Sequence, residues 1–307
     1  MSEVFECEIG SLRDRGFLKL PMPDSLRQPA TELMDVSTAI HGLPVEVLDS
    51  ISTGDTQGLR GYVGSTSKQA NVGSDAEKSR LYASFEFGHS VEEPKSALEE
   101  FLCAANVWPI DTRVNRDAAE AALQKFHDTA VKILECICDE FDDNIGRYFN
   151  RPTGNMRLLR YPNEPNSNVP YHRDYEFLTL IHASHPSLTI RTGGEEIAVN
   201  EANDELVVLG GDALEFLSNG TFKAAEHAAR PGVERYSTVY FLCSNTEVSI
   251  DRNFNFRESW GDDFFYPARH LAGMNFANNF ALRQKVDNPS LLKLMPDDLK
   301  NPFLAQQ

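Results

Sequence analysis

The chain has 307 residues, of which 41% are hydrophobic and 24% are charged, a composition typical of globular proteins. The 29 Lys and Arg against 46 Asp and Glu give a formal net charge of −17, which disfavours nucleic acid and anionic membranes as partners. No apolar run approaches the ~20 residues of a membrane span, and the acidic N-terminal segment lacks a signal-peptide pattern, so we expect a cytoplasmic protein. The five cysteines are scattered, which argues against a disulfide framework.

The first 115 residues are predicted to form a mixed α/β region that supports a larger domain. A short strand is predicted at 16–20, followed by a turn that contains two prolines. Apolar spacing between residues 29 and 51 predicts one or two helices. Residues 52–80 are rich in Gly, Ser, Thr and Asp, which predicts a polar loop region with a short extended piece at 60–63.

A long supporting helix is predicted within residues 116–150. Apolar side chains recur at steps of three and four from residue 117 to residue 145 and form one stripe along about eight turns: Leu123, Phe126, Ala130, Leu134, Ile137, Phe141 and Ile145. Such a helix requires a large apolar surface to pack against.

A core that is mainly β is predicted for residues 151–250. Short β-rich runs separated by Gly, Pro, Asn and Asp predict strands at 156–161, 177–182, 187–191, 196–199, 205–209, 213–217 and 235–243. Strands of this length and spacing favour a sandwich or a barrel. Residues 251–307 are predicted to form a C-terminal lid and tail with one helix at 273–283, so the fold class is α+β with a mainly β core.

One histidine and one aspartate suggest a metal site. His172 and Asp174 form the only H-x-D sequence of the chain, and residues i and i+2 of an extended segment face the same way. His227 follows after a turn-like segment. Two imidazoles and one carboxylate on one face of a metal form the facial triad of non-haem Fe(II) sites that react with oxygen. The alternative is that both histidines are ordinary polar residues.

A second feature is an arginine on an apolar strand face. Alternation along residues 235–243 places Arg235 and Ser237 on the same face as Val239, Phe241 and Cys243. A buried guanidinium without an anion is costly, and a bound carboxylate would remove that cost. An internal ion pair with Asp or Glu is the alternative. A second R-x-S sequence, Arg257 to Ser259, lies in a polar segment.

Taken in order, these segments resemble a family. The runs 172–180, 211–227 and 234–237 are similar to those of the 2-oxoglutarate/Fe(II)-dependent oxygenases of the isopenicillin N synthase-like class. Upstream segments at 15–17, 60–62, 85–88 and 106–109 also resemble landmarks of that class. One departure is that Ala228, instead of the arginine common in the family, follows the distal histidine.

The resemblance implies a double-stranded β-helix, or jelly roll, with Fe(II) on His172, Asp174 and His227. It also implies that 2-oxoglutarate chelates the iron and places its far carboxylate on Arg235 and Ser237. Arg160 and Tyr161 match positions that line the cosubstrate or substrate pocket in that class. Candidate substrate-pocket residues are Phe87, Tyr175, Phe177, Leu188 and Phe241, with Asn275 and Phe276 from the C-terminal lid.

We therefore expect a mononuclear Fe(II) dioxygenase that consumes 2-oxoglutarate and O2 and oxidises a small organic molecule, such as a natural-product intermediate. Hydroxylation, desaturation and ring formation are all compatible with this chemistry. One alternative is an oxidase of the isopenicillin N synthase type that uses Fe(II) and O2 without 2-oxoglutarate. Another is a β-core binding protein without catalytic activity.

Overall fold

The computed structural model describes residues 3–52, 60–64, 82–95, 97–138, 149–164, 167–174, 176–199, 204–230 and 232–245. The helices in this part of the chain are α1 (Glu3–Arg15), α2 (Asp24–His41), α3 (Val45–Ser50), α4 (Ala97–Leu102), α5 (Arg116–Cys138) and α6 (Asp212–Leu217). The strands are β1 (Phe17–Pro21), β2 (Gly61–Val63), β3 (Ala83–Gly88), β4 (Asn155–Tyr161), β5 (Val169–His172), β6 (Leu178–Ala183), β7 (Leu188–Thr192), β8 (Glu195–Ala198), β9 (Glu205–Gly210), β10 (Glu226–Ala229) and β11 (Arg235–Leu242). None of these helices combines the length and the hydropathy that crossing a bilayer requires.

The strands form two antiparallel sheets that face each other. The large sheet has seven strands in the order β1-β9-β6-β11-β4-β3-β2, and the small sheet has four in the order β5-β10-β7-β8. Apolar side chains of both sheets meet in one buried cluster, with Leu159, Ile181 and Val239 from the large sheet and Leu188 and Ile190 from the small sheet. We call the space between the two sheets the interior. This arrangement confirms the jelly-roll fold.

The helices pack on the outer face of the large sheet. Strand β11 contributes Tyr240 and Leu242 to this second core, whereas its alternate residues face the interior. Helix α5 carries the predicted apolar stripe and lies beside α2 in the same core. The His127 ring of α5 also hydrogen-bonds the Tyr240 hydroxyl at 2.9 Å. The first 115 residues add β1, β2 and β3 to the large sheet.

Most predicted strands are confirmed within one or two residues, but the strand predicted at 213–217 is wrong. That segment is helix α6, in which Ala213, Leu214 and Leu217 are buried in the core on the helix side. An apolar run of this length fits either a strand or one face of a short helix, and packing decides between them. The strands β5 and β10, of four residues each, were not predicted as strands. The end of the predicted long helix and the C-terminal lid lie outside the described residues.

Candidate metal centre

Two strands of the small sheet bring the predicted histidines together. His172 is the last residue of β5, and His227 lies on β10 directly opposite it in the antiparallel register. The centroids of the two imidazole rings are 4.3 Å apart. Residues that are far apart in sequence thus become neighbours because β5 and β10 are adjacent strands.

Asp174 completes the triad from the turn that follows β5. Its two carboxylate oxygens lie 3.6 Å from Nε2 of His172 and 3.7 Å from Nε2 of His227. One ligand atom from each residue can be chosen so that all three lie within 4.8 Å of one another. The Thr179 hydroxyl donates to Asp174 Oδ2 at 2.6 Å and so fixes the carboxylate. His172 belongs to a strand and Asp174 does not, so the two do not project from one strand as expected.

Backbone carbonyls fix both imidazole rings in the tautomer that can bind a metal. Nδ1 of His172 donates to the Pro170 carbonyl at 2.9 Å, and Nδ1 of His227 donates to the Ala225 carbonyl at 3.0 Å. A carbonyl oxygen can only accept, so Nδ1 carries a proton, and in the neutral ring the lone pair is therefore on Nε2. Hydrogen bonds of this kind orient metal-binding histidines in proteins.

The triad combines a buried carboxylate with one accessible edge. Burial opposes the ionisation of Asp174, but the His227 and His172 rings and the Thr179 hydroxyl outweigh it, so the pKa of this carboxyl lies below its usual value. The Asp174 and His227 side chains are 8% and 7% exposed, whereas that of His172 is 40% exposed. A metal held here would keep open coordination positions on one side.

Gly211 holds the turn that carries Asp174. Its amide donates to the Phe177 carbonyl at 3.1 Å, and the next amide, of Asp212, donates to the Asp174 carbonyl at 2.9 Å. A Cβ atom at residue 211 would clash with the Glu176 carbonyl oxygen. The close approach of these two backbone segments therefore requires glycine.

Gly211→Ala should lower the free energy of unfolding by ~1–3 kcal/mol, because the turn must move to admit the methyl group. Chemical denaturation of the metal-free protein measures this. Gly10→Ala is the control: Gly10 lies in α1 with nothing within 4 Å of an added Cβ, so stability there should hold or rise. Equal stability of the Gly211 variant and wild type would contradict the contact.

The predicted cosubstrate residues on β11 face the interior. Arg235 and Ser237 are 2% and 1% exposed. The Arg235 Nε donates to the His185 carbonyl at 2.8 Å. Tyr161 pairs with Arg235 in the sheet, and its ring centroid lies 5.3 Å from the guanidinium carbon. Burial raises the pKa of Tyr161 to about 12, so its hydroxyl stays protonated and able to donate.

Arg160 is not brought to this site. It neighbours Tyr161 on β4, and successive residues of a strand point to opposite faces. Its guanidinium forms an ion pair at 2.8 Å with Glu234, and the two side chains are 39% and 47% exposed. The structure therefore places Arg160 on the outer face of the large sheet.

The predicted substrate-pocket residues separate into three groups. Leu188 and Phe241 belong to the interior cluster. Phe87 and Phe177 are buried in the core on the helix side, where they contact Trp108 and Phe149, so the structure does not place them in the interior. Tyr175, Asn275 and Phe276 lie outside the described residues.

Sequence reasoning missed an ion pair inside the interior. Arg157 on β4 and Glu86 on β3 are register partners, and the Arg157 Nε lies 2.9 Å from Glu86 Oε1. The signal was available, because alternation along β4 places Arg157 on the same face as Tyr161.

Comparison with known proteins agrees with the fold. Residues 152–244 match the family model described as the 2OG-Fe(II) oxygenase superfamily. The chain is 34% identical over 123 residues to gibberellin 2-beta-dioxygenase 8 of Arabidopsis thaliana, covering 35% of this chain and 36% of that protein. It is 26% identical over 218 residues to the sexual differentiation process protein isp7 of Schizosaccharomyces pombe, covering 66% of this chain and 53% of that one. The chain thus spans about half or less of the length of these relatives.

Solved structures share the fold over most of the chain. A protein of Caulobacter crescentus described as a 2OG-Fe(II) oxygenase family member superimposes with a TM-score of 0.75 at 22% identity, covering 92% of this chain and 93% of that one. A Neurospora crassa protein solved in complex with alpha-KG and thymine superimposes with a TM-score of 0.65 at 20% identity, covering 81% and 82%. The resemblance seen in the sequence is confirmed at the level of 2-oxoglutarate/Fe(II) oxygenases. Residues 152–244 of the chain are therefore similar in sequence to the 2OG-Fe(II) oxygenase superfamily, and the described fold is the one that these solved structures share.

Proposed function

We propose that this protein couples the oxidative decarboxylation of 2-oxoglutarate to the oxidation of a small organic substrate, with Fe(II) held by His172, Asp174 and His227. The observation that carries the proposal is the triad: two imidazoles with fixed Nε2 lone pairs and one carboxylate, all within 4.8 Å. This donor set fits Fe(II), which accepts imidazole and carboxylate ligands on one face. When bound, the iron supplies the activation of O2.

The residues of the chain position the reactants. Arg235 and Ser237 would hold the far carboxylate of 2-oxoglutarate, since both are buried on the interior face and the guanidinium fork suits a carboxylate. The Tyr161 hydroxyl, protonated and beside Arg235, is available as a further donor. The two facing sheets shield this end of the interior from water. In a hydroxylation, one oxygen atom of O2 enters succinate and the other enters the product, and CO2 is released.

We infer that the substrate is a small natural product and that the protein acts in the cytoplasm. Two relatives are named for small-molecule oxidation: gibberellin 2-beta-dioxygenase 8 of Arabidopsis thaliana and 2'-deoxymugineic-acid 2'-dioxygenase of Hordeum vulgare. The formal charge of −17 argues against nucleic acid as the substrate.

The test is anaerobic titration of the protein with Fe(II) and then 2-oxoglutarate, followed by admission of O2 in the presence of candidate substrates. A visible charge-transfer band should develop only when both Fe(II) and 2-oxoglutarate are present. One succinate should then form for each substrate molecule oxidised. Substrate oxidation without succinate would favour the oxidase that does not use 2-oxoglutarate. The absence of both the band and turnover would contradict the proposal.

A further inference from the structure

The ion pair of Arg157 and Glu86 lies on the interior face of the large sheet. The pair joins β3 to β4, and the Asn155 amide supports it by donating to Glu86 Oε2 at 3.4 Å. The Arg157 and Glu86 side chains are 29% and 12% exposed. Arg157 therefore keeps part of its surface accessible.

The sheet register places this pair near the triad. Phe241 pairs with Thr179 on one side and with Asn155 on the other, and the Thr179 hydroxyl binds Asp174. The Arg157 guanidinium carbon lies 5.1 Å from the centroid of the Phe241 ring. The Phe241 side chain therefore lies between Arg157 and Thr179, the residue whose hydroxyl binds Asp174.

Arg157 keeps its positive charge in this position. Burial opposes that charge, but the neighbouring Glu86 carboxylate, which forms the ion pair at 2.9 Å, keeps the pKa of the guanidinium above its usual value. Arg157 is thus permanently charged.

The guanidinium retains unused donors. Within the described part of the chain, the hydrogen bond of Arg157 uses only Nε, which donates to Glu86 Oε1 at 2.9 Å. The two terminal nitrogens form a planar fork that suits an oxygen acceptor. An unfilled donor in a partly desolvated site costs free energy that a substrate oxygen would recover.

The surrounding charge selects the kind of acceptor. Glu86 neutralises Arg157, with the Arg157 Nε 2.9 Å from Glu86 Oε1. A carboxylate substrate bound to Arg157 would place a second negative charge beside Glu86 at short range and low dielectric, which is unfavourable. A neutral carbonyl oxygen avoids that repulsion.

We propose that Arg157 and Glu86 orient the substrate, and that the substrate presents a neutral amide- or imide-type edge to them. Arg157 donates from its terminal nitrogens to the carbonyl oxygen, and Glu86 accepts from the adjacent N–H group. This inference rests on the proposed function, which places the reacting carbon of the substrate beside the triad.

The test uses Mn(II) in place of Fe(II), because Mn(II) also binds nitrogen and oxygen ligands and shortens the proton relaxation times of molecules near it. The probes are benzamide with benzoate, and cyclohexanecarboxamide with cyclohexanecarboxylate, each measured by NMR with and without 2-oxoglutarate. In the wild type, both amides should show Mn(II)-dependent relaxation, and each should bind at least about tenfold more tightly than its matched acid. Arg157→Met should weaken amide binding about tenfold or more, through the loss of a charged donor.

Glu86→Gln gives the discriminating result. Because it leaves the Arg157 charge uncompensated, the preference should reverse and the acids should bind more tightly than the amides. Arg191→Met is the control, since Arg191 forms a comparable cross-strand ion pair with Glu196. The adjacent residue Ile190 faces the interior, so Arg191 points outward. This variant should keep the wild-type preference for amides.

Each outcome separates this inference from the proposed function. The methylene protons of 2-oxoglutarate report cosubstrate binding in the same sample. Relaxation of 2-oxoglutarate without relaxation of the amides, or an unchanged preference in Glu86→Gln, would overturn the substrate inference alone. Relaxation of the amides without relaxation of 2-oxoglutarate would overturn the cosubstrate assignment and leave the role of Arg157 in place.

Discussion

Replacing His227 with Ala should abolish detectable turnover and weaken Fe(II) binding by more than ~100-fold. The loss of a residue that only hydrogen-bonds to a metal ligand already lowers metal affinity ~10–100-fold, and the loss of a ligand should cost more. The change removes one of three ligand atoms and leaves Asp174 with a single imidazole neighbour. His227 is on a short strand, and its Nδ1 contact with Ala225 is local. The fold should therefore persist, and metal titration together with denaturant unfolding measures both effects.

His127→Ala is the matched control for this experiment. His127 is also a buried histidine, but it lies on α5 in the core on the helix side and binds the Tyr240 hydroxyl. Its loss should destabilise the protein by ~1–3 kcal/mol, because the partner hydroxyl is left buried without this hydrogen bond, and Fe(II) affinity should stay the same. If both variants lose stability and neither loses iron affinity, His227 is a structural residue and the metal site is refuted.

Several elements and two of the three candidate metal ligands could be predicted because each leaves a local signal in the sequence. The helix α5 follows from its apolar stripe, and β11 follows from alternation, with Tyr240 and Leu242 on one face and Val239 and Phe241 on the other. The H-x-D sequence identifies two of the three triad residues, since no other occurs in the chain.

Pairing between distant segments could not be predicted in the same way. The strands β5 and β10 have four residues each, too few for an alternation pattern, and their hydrogen-bonded register is what places His172 opposite His227. The same limit applies to Phe87 and Phe177, which are apolar in sequence and buried in the structure, but in the core on the helix side. Side-chain composition predicts burial, whereas the layer in which a residue is buried depends on the complete sheet.

Arg160 shows how the face of a strand decides a role. The resemblance predicts that it lines the pocket together with Tyr161, although adjacent strand residues point in opposite directions. Its ion pair with Glu234 lies on the outer face, and Arg157, two residues before Leu159, is the arginine of β4 that faces the interior. Strict use of the alternation would have favoured Arg157 over Arg160.

Replacing Arg235 with Gln should weaken 2-oxoglutarate binding by about thirtyfold to several thousandfold. The guanidinium is 2% exposed, and removing one partner of a buried charged pair costs ~2–5 kcal/mol, which corresponds to that range at ~1.4 kcal/mol per tenfold change. Fe(II) affinity measured without cosubstrate should barely change, because Arg235 is not a proposed ligand. Arg235→Lys should be intermediate, since it keeps the charge and loses the planar fork.

Titration of the charge-transfer band with 2-oxoglutarate compares these variants directly. Arg160→Gln is the control, because Arg160 pairs with Glu234 on the outer face and both side chains are substantially exposed. An exposed ion pair contributes only ~0–1 kcal/mol. The 2-oxoglutarate affinity of this variant should therefore stay close to that of the wild type. Equal 2-oxoglutarate affinity in wild type and Arg235→Gln would refute the cosubstrate role of Arg235. Combined with iron-dependent turnover that produces no succinate, it would favour an oxidase whose buried arginine binds a carboxylate of the substrate instead.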